Sequence, residues 1–295
     1  MRILGTVFAA LAGLAFGSFL NVCLSRWPEG ESIARPRSHC RSCDRTLAWW
    51  ENVPLVSWLA LRGRCRTCKT WIGWRYPLVE LAVGVVWGLV GWCLMGQIQD
   101  ASFAIQQWSN PFGFGILGAI GMMAFSWMLV GLAVLDAEHF WLADAVTLPG
   151  IGLGVAFFIW RQELLTVGSG IKLSFWEAIG ERLIAAAVAA LLILLIRWTY
   201  KLIRKREGIG LGDAKLMAML AAWLGLPGAL LSFLIGVALG SMVALFVLAT
   251  RSARAKHGNW ALTRLPLGTF LCVGGIVSAL WGQPIIAAYL RWAGF

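Results

Sequence analysis

Seven stretches of this chain, 14 to 35 residues long, contain no charged side chain: 3–24, 81–99, 101–135, 145–160, 183–196, 216–250 and 265–290. No other feature limits the fold as strongly. The hydrocarbon core of a bilayer is about 30 Å thick and takes about 20 apolar residues as a helix. Inside it every backbone N–H and C=O must find a partner within the protein, which a helix provides along its whole length. The run 101–135 opens on the polar Gln106-Gln107-Trp108-Ser109-Asn110, so its span begins near Pro111. The run 216–250 would make a helix about 52 Å long, too long for one crossing. It contains Gly225-Leu226-Pro227-Gly228, a turn signal, and so divides into a short span near 214–226 and a longer one. The short span is expected to be tilted, shielded by neighbours or partly outside the lipid. The expected fold is all-α: a polytopic membrane helix bundle of about eight transmembrane helices.

Composition agrees. Hydrophobic residues make up 59% and charged residues 13%, about half the charge of a soluble domain. The 18 Trp suit membrane interfaces, and the 34 Gly let helices approach closely. Gly236, Gly240, Ala244 and Ala249 are candidates for such contacts. The run 3–24 is longer than the apolar core of a signal peptide and reads as a retained span. No internal repeat or low-complexity tract stands out.

Positive charge orients the bundle. Three segments, 25–76, 197–206 and 251–264, hold 19 of the 25 Lys and Arg, and all three fall on one side if there are eight spans. Positive loops stay in the cytoplasm, so these loops belong there and both termini lie outside. The same rule accounts for the net charge of +11 without nucleic acid, for which no basic stripe or reading module is present. Asp136 and Asp213 also land on the cytoplasmic side.

The segment 25–76 is polar, basic and too long for a turn. It carries Cys40-Arg41-Ser42-Cys43 and Cys65-Arg66-Thr67-Cys68, two Cys-x-x-Cys pairs separated by 21 residues. That spacing fits a four-thiolate zinc site, which would stabilise a module lacking a large core of its own. Redox pairs or idle thiols are the other readings. Cys23, Cys93 and Cys272 lie in apolar stretches and read as packing residues. The domain division expected is a first span at 1–24, a cytoplasmic four-cysteine module at 25–76 and a membrane domain at 77–295.

Three acidic residues sit beside spans. Asp144 precedes Ala145-Val146-Thr147-Leu148 and reads as a helix N-cap. Asp213 follows Gly210-Leu211-Gly212, where two glycines free the backbone for a close approach. Asp136 ends the apolar run 128–135, where a carboxylate meets the unfavourable end of the helix macrodipole. An acidic residue at membrane depth is a functional candidate. Two carboxylates brought together cannot both ionise easily, so one can take a proton from water while its protonated partner polarises a carbonyl. This pairing of Asp136 with Asp213 is the chemistry of an aspartic peptidase. His39, His139 and His257 have no matching serine nucleophile motif, and His139 reads as a solvated loop residue. A cation- or proton-coupled transporter using the same aspartates, or a scaffold with a zinc-stabilised loop, are readings of other kinds.

An ordered series of motifs resembles the type IV prepilin peptidases, the bifunctional leader peptidase/N-methyltransferase family. It runs from Gly17-Ser18-Phe19-Leu20-Asn21-Val22 through the paired cysteines, with Glu51-Asn52-Val53-Pro54-Leu55-Val56-Ser57-Trp58 between them. It continues with Arg62-Gly63-Arg64-Cys65 and Arg75-Tyr76-Pro77-Leu78-Val79-Glu80. The segment 136–149, then Gly210-Leu211-Gly212-Asp213-Ala214-Lys215 and Leu265-Pro266-Leu267-Gly268-Thr269-Phe270, complete it. Ala143 and Arg41 stand where the family often has Pro, and Ala214 where it often has Phe. A presenilin-like intramembrane protease shares Gly-x-Gly-Asp, but Asp136 here follows Leu135 and not Tyr.

The resemblance implies Asp136 and Asp213 as the catalytic pair, with Gly210 and Gly212 as motif backbone. It implies prepilins and pseudopilins as substrates, for type IV pili or type II secretion, cut after a leader Gly at the cytoplasmic face of the bacterial inner membrane. It further implies N-methylation of the new N-terminal residue with S-adenosylmethionine, associated with the cysteine-bearing part and its flanking spans. Glu80 is a candidate for that activity, or an interface residue paired with a loop arginine, the reading preferred here.

Overall fold

The computed structural model describes residues 2–99, 115–169, 175–205, 210–252 and 265–294. Among these the chain is helical apart from two isolated antiparallel bridges. In chain order the helices are α1 (Arg2–Arg26), α2 (Val56–Ala60), α3 (Arg75–Gln99), α4 (Gly115–His139), α5 (Asp144–Ser169), α6 (Phe175–Arg204), α7 (Leu211–Ser252) and α8 (Leu267–Trp292). Seven of them are long and apolar enough to cross a membrane. The helices run past the charge-free stretches: α6 is 30 residues long around the expected 183–196 and includes Glu177, Glu181 and Arg182. Absence of charge marks the part that fits hydrocarbon, whereas helical hydrogen bonding continues beyond it. The start expected near Pro111 lies outside the described residues.

The eight-span expectation turns on α7. Gly225, at φ 74° and ψ 172°, interrupts its helical backbone. In a straight helix Gly212 and Gly240 would stand about 42 Å apart. Instead a Cβ at Gly212 would touch Leu142, which also touches Gly268, while a Cβ at Gly240 would touch Phe270, two residues further on. The chain therefore doubles back at Gly225, and α7 is two antiparallel helices. The first, short half is shielded: Leu216, Met217, Met219, Leu220, Ala221 and Ala222 are all buried.

The helices fall into two compact units, one reaching Gly131 within α4 and the other running from Leu132 onward. In the first, α1 and α3 pack antiparallel along their length. Gly5, Ala9, Gly13 and Gly17 recur every four residues on α1, one per turn. A Cβ at Gly13 would lie 2.9 Å from the Gly84 Cα, and one at Gly17 would lie 2.7 Å from the Glu80 Cα. Only backbones stripped of side chains approach so closely. Two bonds pin this pair to α4: Trp87 of α3 donates Nε1–H to the Met123 carbonyl of α4, and Trp127 of α4 donates Nε1–H to the Phe16 carbonyl of α1, each at 3.1 Å.

In the second unit the second half of α7 lies against α8. Gly236 sits on the Leu271 backbone, and a Cβ at Gly274 would strike the Ser232 carbonyl. Gly236 and Gly240 thus line the expected contact, whereas Ala249 is exposed, because that end of α7 extends past α8. Large apolar side chains such as Leu195, Leu234 and Phe246 point outward, as a lipid-facing surface requires.

Candidate active site

Four helix ends of the second unit converge around Leu142, a buried residue in the turn between α4 and α5. Its side chain fills the space left by two glycines. A Cβ at Gly212 would meet Leu142 Cβ at 3.1 Å, and one at Gly268 would meet Leu142 Cδ1 at 3.1 Å. The starts of α7 and α8 are thereby drawn against the end of α4 and the start of α5.

Asp136 lies in the last turn of α4 and is 6% exposed. The macrodipole problem seen in the sequence is answered by another helix. The Thr269 backbone N–H, in the first turn of α8, donates to Asp136 Oδ2 at 2.7 Å. Helix N-termini carry unpaired N–H groups and partial positive charge, so the start of α8 is a ready anion site. The Thr269 hydroxyl adds a contact of 3.2 Å to Oδ2 while reaching the Ala133 carbonyl at 2.9 Å. Gly268 has no room for a side chain, since a Cβ would lie 2.9 Å from Asp136 Oδ2.

Asp213 lies in the first turn of α7 and is 7% exposed. Its Oδ2 accepts the Gly210 N–H at 3.0 Å, folding the motif back on itself. Gly212, next to Asp213, and Gly268, beside Asp136 Oδ2, pack on the same Leu142 side chain, which brings the two aspartates to one end of the unit. Asp144 differs from expectation. Ala143 holds the cap position, its carbonyl accepting from Val146 and Thr147, so Asp144 is the first helical residue. Its carboxylate is half-exposed and takes Lys215 Nζ at 2.7 Å on both oxygens. His139 is exposed at the end of α4, 3.9 Å from Glu138.

The sequence reading of this region missed the roles of Leu142, Gly268 and Thr269. The motif at 265–270 was visible, but the partner that gives it meaning is 133 residues away.

In the first unit the four cysteine sulfurs lie within 4.8 Å of one another. Cys40 Sγ and Cys68 Sγ are 3.7 Å apart, close to the edge of about 3.8 Å for a tetrahedron with metal–sulfur bonds of about 2.3 Å. The four thiolates fit a metal ion. Each pair sits in the same knuckle: Cys40 N donates to Arg45 O and Asp44 N to Cys40 O, and Cys65 N donates to Thr70 O and Lys69 N to Cys65 O. The bridges His39–Thr46 and Arg64–Trp71 close them. The module is thus a local repeat offset by 25 residues, contrary to the reading that found none, because two knuckles of seven or eight residues are too short to register as sequence self-similarity. The Cys68 thiol also lies 3.3 Å from the Thr70 hydroxyl. Trp58, Trp71 and Trp74 form a partly exposed aromatic cluster beside it.

Between α1, α3 and this module lies a cavity of about 350 Å³, lined in part by Asn21, Arg26, Trp58, Tyr76 and Glu80. The buried Glu80 accepts the Leu55 N–H at 2.8 Å, and among the described residues it pairs with no loop arginine. The arginine pairing belongs to Glu51, which takes Arg45 Nη2 at 2.6 Å and the Ala48 N–H at 2.8 Å. Asn21 donates to the Tyr76 carbonyl, while its buried Oδ1 has no hydrogen-bond partner.

Comparison with known proteins adds the lineage. Residues 11–94 match the model of the bacterial peptidase A24 N-terminal domain, and residues 123–245 match that of the type IV leader peptidase family. A prepilin leader peptidase/N-methyltransferase of Stutzerimonas stutzeri is 35% identical, with 97% of this chain and 93% of that protein aligned. A protein of the same name from Pseudomonas aeruginosa is 33% identical over the same shares. Another from Burkholderia pseudomallei is 33% identical over 94% of this chain and 85% of its own length. No solved structure matches. With its multi-pass helical fold and near full-length kinship, the chain belongs to the type IV leader peptidase family.

Proposed function

We propose that this protein removes the leader of type IV prepilins and pseudopilins after a glycine, at the cytoplasmic face of the bacterial inner membrane, and then N-methylates the new N-terminus. The carrying observation is the juxtaposition of buried Asp136 and Asp213 at one end of the second unit, with the start of α8 donating a backbone hydrogen bond to Asp136 and Gly210 one to Asp213. In the reaction one ionised carboxyl takes a proton from water, and the water oxygen attacks the glycine carbonyl carbon. The protonated partner donates to the carbonyl oxygen. When the tetrahedral intermediate collapses, the C–N bond breaks and the proton passes to the departing amine. The basic run Arg197, Lys201, Arg204 and Lys205 closes α6 just before Asp213, which supports a cytoplasmic position under the positive-inside rule.

The part of the chain up to the end of the four-cysteine module, with its flanking spans, is assigned to the methyl transfer, and the part beyond to proteolysis. Zinc suits the four thiolates as a structural ion holding the two knuckles. S-adenosylmethionine supplies an electrophilic methyl group when bound. The cavity beside the module fits such a cationic, hydrogen-bonding donor: Asn21 Oδ1 offers an unused acceptor, Glu80 a buried carboxylate, and Trp58 and Tyr76 aromatic faces.

The test is cleavage of a purified prepilin by the detergent-purified protein beside Asp136→Asn, Asp213→Asn and Asp144→Asn. Loss in the first two and retention in the third is expected. Cleavage by a well-folded Asp136→Asn variant would overturn the assignment. The mass of the mature product reports methylation in the same sample.

A further inference from the structure

A cavity of about 500 Å³ lies among α5, α6, both parts of α7 and α8. It is built around the chain reversal at Gly225–Gly228, and the first half of α7 separates that reversal from Asp213 by twelve residues, about 18 Å of helix. The cavity therefore lies toward the end of the second unit away from the aspartates. Its lining combines charged residues, Arg161, Glu181 and Arg182, with the aliphatic Ile184, Val188 and Ile286.

Arg182 is the telling residue. It is 7% exposed, yet its Nε and Nη1 are buried without a hydrogen-bond partner. Phe158 covers one face of the guanidinium at 3.6 Å, which leaves the in-plane N–H groups unanswered. Glu181, its neighbour on α6, is exposed and contributes long-range attraction, but no hydrogen bond to Nε or Nη1. The Arg161 charge adds repulsion in the same cavity. Gly225 completes the arrangement. A Cβ there would strike Arg182 Nη1 at 2.8 Å, and its φ of 74° disfavours any other residue, so the reversal makes room for the guanidinium. The first turn of the second half of α7 also lines the cavity, and helix N-termini favour anions. A buried guanidinium with open donors calls for an acceptor, and its planar fork matches a phosphate.

We propose that this cavity binds a phosphate group through Arg182. Two sources share that chemistry, a phospholipid headgroup and free phosphate. The aliphatic wall favours the lipid: Ile184 and Val188 are 65% and 43% exposed and offer an acyl chain a path from the bilayer into the cavity. The proposal stands independently of the peptidase reading.

The test uses the full chain, stripped of lipid in a nonionic detergent and then titrated with phosphatidylglycerol. Retained lipid is counted by native mass spectrometry. Inorganic phosphate is added in a parallel lipid-free series read by thermal unfolding. Wild type and Arg204→Gln, at the opposite end of α6, should each retain one phosphatidylglycerol. Arg182→Gln should bind at least about tenfold more weakly, as loss of a charge-assisted fork implies, with Arg182→Lys between them. Phosphate that stabilises wild type but not the Arg182 variants, without lipid retention, would identify the free anion as ligand. Equal behaviour of wild type and Arg182→Lys in both series would overturn the proposal, even if Arg182→Gln did not fold.

Discussion

Replacing Gly268 by alanine asks whether the start of α8 positions Asp136. The added methyl would meet Asp136 Oδ2 at 2.9 Å and Leu142 Cδ1 at 3.1 Å, where ordinary contact begins near 3.4 Å. The oxygen must therefore move by about 0.5 Å, and the 2.7 Å bond from Thr269 N–H stretches with it. Two effects oppose each other in stability. Alanine is favoured over glycine in a helix by about 1 kcal/mol. Forcing a carbon into a packed site costs about 1–3 kcal/mol. The net loss of about 0–2 kcal/mol leaves the protein folded. Catalysis should suffer more, because reacting groups need placement within about 0.5 Å, and a 1 Å error costs about 100-fold. We expect prepilin cleavage to slow by about 10- to 100-fold, mainly in kcat. Initial rates would be measured in one detergent, on samples matched in elution volume and Tm. A rate within about twofold of wild type would refute the positioning argument, since the methyl would then have been accommodated without moving the carboxylate.

Thr269→Val removes the hydroxyl between Asp136 and the Ala133 carbonyl but keeps the backbone donor. One hydrogen bond is worth about 1–1.5 kcal/mol, so cleavage should fall about tenfold and Thr269→Ser should restore it. A strong chelator, or Cys43→Ser, should abolish bound zinc and open residues 36–72 to protease, while the α1–α3 pair stays protected. Unchanged protection would mean that the knuckles hold without metal. The Arg45 guanidinium leads in holding the Glu51 carboxyl below its ordinary value of 4.5. A lowered folded value gives stability that is complete above that ordinary value and is lost as pH falls through the folded one. Amide protection factors in the module, exchange rates divided into the intrinsic rate at each pH, should thus hold constant from neutral pH to about pH 5 and fall only at lower pH, with those of Arg45→Met falling earlier. Identical profiles would remove the ion pair from the account.

Long charge-free runs meant helices before any coordinates, because lipid offers a backbone no other partner. The turn at Gly225–Gly228 and the cysteine spacing were equally legible, since each is a short-range requirement written within a few residues. Asp136 was singled out because a carboxylate at a helix end needs a compensating group. Its compensation was not legible: Thr269 N–H and Gly268 come from the start of α8, and only packing against Leu142 brings them there. Glu80 and Glu51 make the same point, since both are acidic residues near a basic loop and only the folded module decides which receives an arginine. The glycines of α1 looked like composition until α3 lay against them, backbone to backbone. Arg182 lay just outside a charge-free run and drew no notice, because what isolates its guanidinium is Phe158 on one side and the reversal at Gly225 on the other. Hydrophobic length and local turn chemistry act through neighbours in the chain, so the residues alone determine them. Hydrogen-bond partners and buried charge act through neighbours in space, and those exist only once the helices have packed.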